Sequence, residues 1–191
     1  MWPILAASLV GCGPKGTRFD IVDYHVDGQT EHYFQPFDEC YYGYDGRRNL
    51  HIVAQRETTN EAGLPTRQVV HLESFWHASP GRTLADETMI NATVSYMILS
   101  GPTGGGFEGS GFLSYKENWG GTRITGELEL SSLTPHRRLG SADRLFDRAE
   151  LSGHFSARKD DAKVVTLLNE IRRMFGPMPR YVVPPDSPDL R

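Results

Sequence analysis

Apolar and polar residues alternate with period two along much of this chain. That is the pattern of a strand with one buried and one solvated face. One run puts Ile124, Leu128 and Leu130 on one face, with Arg123, Thr125, Glu127 and Glu129 on the other. In a second, Ala149, Leu151, Gly153, Phe155 and Ala157 alternate with Glu150, Ser152, His154, Ser156 and Arg158. In a third, Ala92, Val94, Tyr96 and Ile98 alternate with Asn91, Thr93, Ser95 and Met97. Val70, Leu72 and Trp76 share a face opposite His71 and Glu73, and Leu50 and Ile52 open another strand. Near the start, Val22, Tyr24 and Val26 run into Asp27-Gly28. Asp-Gly between strand-type segments predicts a two-residue hairpin, with residues 29–34 as the returning strand.

The period changes to helical only near the end. Val164, Leu167, Leu168, Ile171, Met174 and Phe175 form one apolar stripe. Asp160-Asp161 suits its N-terminus, Arg172 and Arg173 its last turn, and Gly176-Pro177 its stop. Such a helix lies against a sheet or closes a barrel end. The predicted class is therefore mainly β: an antiparallel sandwich or barrel of eight or nine strands with one C-terminal amphipathic helix. One domain, residues 17–176, carries all of it, followed by a Pro-rich, extended tail over 177–191.

Composition narrows the class little. A chain of 191 residues can bury a proper core, and its net charge of −4 argues against a general nucleic-acid binder. No apolar run approaches the roughly 20 residues of a membrane-spanning helix.

The N-terminus is more specific. Leu9-Val10-Gly11-Cys12 closes a short apolar run from Ile4 to Val10 and resembles the lipobox of bacterial lipoproteins. The resemblance implies a signal segment over 1–11, removal of that segment, acylation of Cys12 and a tether over 12–16. It implies a protein of the cell envelope held to a membrane by covalent lipid. Gly13, where an inner-membrane retention signal carries Asp, implies the outer membrane in a Gram-negative host. Cys40 is then the lone remaining cysteine, and a buried, inert thiol is expected.

Candidate chemistry is sparse. A two-residue turn at Asp27-Gly28 sets Asp23 opposite His32, with His25 on the same face. Two imidazoles and a carboxylate suit zinc, although a solvated polar face gives the same pattern. Arg137 and Arg138 open what reads as a long basic loop running past Arg144. They are a candidate anion site, against ordinary ion pairing with Asp143 and Asp147. The string Gly104-Gly105-Gly106-Phe107-Glu108-Gly109 fits a phosphate-cradling motif, but a strand follows it rather than a helix. It reads as a flexible hairpin loop. Ser110 has no identifiable base, and Tyr41, Tyr42 and Tyr44 suit either a ligand groove or a sheet.

Three functions stay open. The first is a lipid-anchored, non-enzymatic binding or structural module with an envelope protein or a small ligand as partner. The second is a carrier of a small apolar ligand. Strands followed by a helix behind a lipobox are similar to bacterial lipocalins, although no Gly-x-Trp opens the first strand. The third is a metal-dependent enzyme built on Asp23, His25 and His32.

Overall fold

Among the described residues the alternating segments form nine strands. They are β1 (Thr17–Tyr24), β2 (Thr30–Phe37), β3 (Glu39–Tyr44), β4 (Leu50–Thr59), β5 (Pro65–Ser74), β6 (Ala92–Ser100), β7 (Thr103–Glu117), β8 (Arg123–Leu139) and β9 (Arg148–Lys159). One helix, α1 (Asp161–Phe175), follows. The computed structural model describes residues 16–24, 28–60, 62–76, 90–140 and 148–176. Cys12, His25 and Arg144 lie outside them.

All nine strands join one sheet in the order β2-β1-β9-β3-β4-β5-β6-β7-β8. Because β9 also pairs with β8, the run from β9 through β3 to β8 closes into a seven-stranded barrel. Of the two architectures expected, the chain takes the barrel. Every pairing is antiparallel except the short parallel seam of β3 with β9, Tyr41↔Arg158 and Tyr42↔Lys159. The β1–β2 hairpin extends the sheet from the first half of β9, where Arg18 faces His154 and Tyr24 faces Arg148.

The core has two layers. Inside the barrel, large side chains such as Phe19, Tyr42, Tyr96, Phe107, Leu113 and Phe155 meet. Outside it, Tyr41, Val53, Val69 and Met97 pack against Val164, Leu167, Leu168, Ile171 and Phe175 of α1. The helix therefore covers the outer wall at β3 to β6. That explains why six successive residues of β4, Leu50 to Gln55, are buried despite period-two geometry.

Both ends of α1 are secured. The Asp160 carboxylate accepts from the Lys163 amide at 2.9 Å, and Gly176 takes a φ of 86°. Arg137 Nη1 donates to the Phe175 carbonyl at 2.9 Å. The Phe175 ring rests on Gly106, where a Cβ would come within 2.9 Å of it.

Three expectations need correction. Residues 104–109 lie within β7, and the turn is at Gly101-Pro102. Gly104, Gly106 and Gly109 admit close neighbours, Phe175 at Gly106 among them, rather than forming a flexible loop. The supposed basic loop begins as strand: Arg137 and Arg138 pair with Gly106 and Gly105 at the end of β8. Leu130 points outward and is 52% exposed, because the β8–β9 register shifts between Leu128 and Ser131. The shift hands the inward positions to Ser131 and Leu133.

Candidate functional site

The outer face of β4 and β5 brings polar groups together beside α1. His51 and Glu73 are direct cross-strand partners, so both side chains leave the sheet on the same face. The connection between β3 and β4 folds back over them. Asp45 organises this loop: its carboxylate accepts from the Arg47 amide at 2.8 Å and the Asn49 amide at 2.9 Å. Arg48 takes a φ of 67° within the same turn. Asn49 Nδ2 then donates to Glu73 Oε1 at 3.2 Å.

His51 is the centre of the group. Its side chain is 7% exposed, and its Nε2 lies 3.6 Å from Asp45 Oδ2. Its Nδ1 lies 3.0 Å from Nε2 of the buried His71. The two rings stack with centroids 5.3 Å apart and planes at 10°. Burial, with the nearby His51 and Arg172, lowers the His71 pKa to about 3, so its ring is neutral at physiological pH. For Asp45, partial burial raises the pKa. The Asn49 and Arg47 amides and His51 outweigh it and hold the carboxyl below its usual range.

One donor atom from each of Asp45, His51 and Glu73 lies within 4.8 Å of the others. Two zinc ligands at about 2.1 Å in a tetrahedral shell stand about 3.4 Å apart. The His51–Asp45 separation of 3.6 Å is close to that value and too long for a hydrogen bond. These residues open on a cavity of about 370 Å3, walled by Tyr44, Val165, Leu168 and Arg172 among others. Three protein donors beside open space resemble a metal shell with room for a further ligand.

No protein-family model, curated protein or solved structure matches this chain.

The residues singled out in the sequence fall elsewhere. Tyr24 pairs with Thr30, so five residues, 25–29, connect β1 to β2 in place of the two expected. Asp23 therefore faces Glu31, and His32 faces Val22. Asp23 is buried on the inner face with Phe19 and Ile21, whereas His32 is exposed on the outer one. The structure does not bring these two together, and His25 lies outside the described residues. Arg137 is occupied at the end of α1, and Arg138 is exposed beside it in sequence. The three tyrosines have separate surroundings. Tyr42 fills the barrel, with its hydroxyl 2.6 Å from the Gly121 carbonyl. Tyr41 packs under α1, and Tyr44 edges the cavity.

The Asp45–His51–Glu73 group had one readable trace: His51, His71 and Glu73 all fall on the polar phase of their strands. Nothing local to either strand states the register that sets His51 against Glu73.

Proposed function

We propose that the protein is a lipid-anchored binding module of the cell envelope that holds a divalent transition-metal ion on the outer wall of its barrel. The observation that carries the metal is the convergence of Asp45, His51 and Glu73 on one cavity, with their donor atoms within 4.8 Å. The mixed nitrogen and oxygen set favours zinc over calcium or magnesium, which prefer oxygen alone. His71 orients the His51 ring from behind. By engaging Nδ1 of His51 it leaves Nε2 as the ring nitrogen facing Asp45. The anchor rests on the lipobox at Cys12. The barrel interior is occupied by its own aromatic and aliphatic side chains, which favours an outer-wall ligand over a lipocalin-like cargo.

Zinc titration of the full-length, chelator-treated protein tests the reading. A ligand that binds only the native state stabilises it by about 2.7 kcal/mol at 100 times its Kd. Zinc is expected to raise the Tm of the parent, and the rise is expected to vanish in His51→Gln and in Asp45→Asn. An equal zinc-induced rise in the parent and both variants rejects the site.

A further inference from the structure

Strand registers place several unusual features at one end of the barrel. Tyr44 pairs with Leu50, Leu50 with Ser74, and Ser74 with Ala92. Glu117 pairs with Ile124, and Arg123 with Arg158. The loop over 45–49, the β7–β8 turn over 118–122 and the start of α1 therefore share this end. Leu64, in the β4–β5 turn beyond Thr59↔Pro65, marks the opposite end.

Trp119 stands at the tip of the β7–β8 turn with its side chain wholly exposed, at 101%. The turn beneath it is well held. Asn118 Oδ1 accepts from the Thr122 amide at 3.0 Å and the Arg123 amide at 2.9 Å. The Gly121 amide donates to the Asn118 carbonyl at 3.0 Å. The Tyr42 hydroxyl ties Gly121 to the barrel core. The indole is thus presented by a braced hairpin. Tyr44 and Ile90, 40% and 45% exposed, lie at the same end.

Charge favours an anionic surface there. Arg47, Arg48, Lys116, Arg123, Arg158 and Lys159 are all exposed, and Arg123 and Arg158 are cross-strand partners. The neighbouring acids keep their charge, but of these only Glu117 and Asp161 are exposed, whereas Asp45, Glu73 and Asp160 are half-buried. Asp160 caps α1, Asp161 accepts from the Tyr44 amide at 3.3 Å, and Glu117 lies 2.9 Å from the Tyr42 hydroxyl. Asp45 holds its own turn, and Glu73 accepts from Asn49.

The chain also begins its first strand at this end. Thr17 Oγ1 accepts from the Ser156 amide at 3.1 Å, and Arg123 Nη1 donates to Ser156 Oγ at 2.8 Å. Cys12 precedes Thr17 by five residues, a reach of about 17 Å.

We propose that this end docks on a bilayer surface containing anionic lipid, with Trp119 seated at the headgroup level and the surrounding cations facing lipid phosphates. An indole suits that depth because its ring is apolar and its N–H polar. The placement of Cys12 rests on the anchored reading; the docking face stands on Trp119 and the cations.

The test uses the full chain carrying Cys12→Ser, so that no acyl group contributes. Binding is measured by co-sedimentation with phosphatidylcholine vesicles, with and without phosphatidylglycerol. The parent is expected to bind the phosphatidylglycerol vesicles. Trp119→Ala is expected to weaken that binding by about tenfold, and Leu64→Ala, at the far end, to leave it unchanged. Lys116→Glu/Lys159→Glu is expected to abolish the preference for phosphatidylglycerol. Equal binding by the parent and Trp119→Ala overturns the proposal. So does failure of the parent to bind the phosphatidylglycerol vesicles. Failure of Cys12 to be acylated is read separately, from the mass of the native N-terminus, and does not alter this assay.

Discussion

At the scale of single residues, burial decides chemistry more than sequence neighbours do. Cys40 lies between Glu39 and Tyr41 in sequence, yet desolvation is the main reason its thiol pKa is pushed up to about 12. The native thiol is therefore expected to resist a disulfide reagent at pH 8 and to react fully once the protein is unfolded in denaturant. Rapid native-state labelling would contradict this. A stability consequence follows. The unfolded thiol releases its proton near pH 9, while the folded one holds it to about 12. Between these values the folded state binds more protons, so stability falls as pH rises, by at most about 1.4 kcal/mol per pH unit from this group. Urea titrations of the parent and Cys40→Ala at pH 8 and pH 10.5 measure the difference. Burial of Cys40 was legible in its residue type. The inner location of Asp23 was not, because one residue of slip in the hairpin register decides which partner a side chain meets.

At the scale of elements, α1 was the most legible part. Its stripe, Asp160 cap and Gly176 stop are all local signals, and all appear in the structure. Leu168 is 5% exposed in the layer beneath the helix. Leu168→Asp is expected to cost about 4 kcal/mol by placing a carboxylate there. Glu170→Ala loses a partly exposed pair with Arg67 at 3.0 Å and is expected to cost less than about 1 kcal/mol. Equal losses in urea titrations would show that α1 does not dock through this face. The strands were readable as alternation, but their irregularities were not. The bulge in β8 turns Leu130 outward, and it shows only in the pairings, where β8 takes three steps from Leu128 to Ser131 against two in β7 and in β9. Likewise the outer face of β4 reads as polar through His51 and Gln55 until α1 covers it.

At the scale of the whole molecule, the candidate site is made by three successive strands, β3 to β5, and the helix laid beside them. Asp45 and Glu73 are 28 positions apart in the sequence and meet because the β4–β5 register sets His51 against Glu73 while the turn over 45–49 folds back over them. This is why a barrel could be expected from periodicity while its cavity could not. On the proposed anchoring, the protein expressed with residues 1–11 in a bacterium is expected to partition with membranes and to carry acyl chains on Cys12. Cys12→Ala is expected to move it to the soluble fraction under salt concentrations that screen surface charge. Mass spectrometry showing an unmodified residue 12 would refute the anchor.

The order in which the barrel is made has a consequence for its assembly. Among the described residues β9 is the last strand, yet it pairs with β1, β3 and β8. Until it has been synthesised, three strands each lack a neighbour, and the ring stays open. A nascent chain lacking residues 148–159 therefore exposes edges that attract other strands. Closure must also wait for contacts between the two ends of the domain, which makes folding a late and comparatively slow event. β9 thus acts as the fastener of the barrel, and ribosomes that stop short of it release a sheet without a seam.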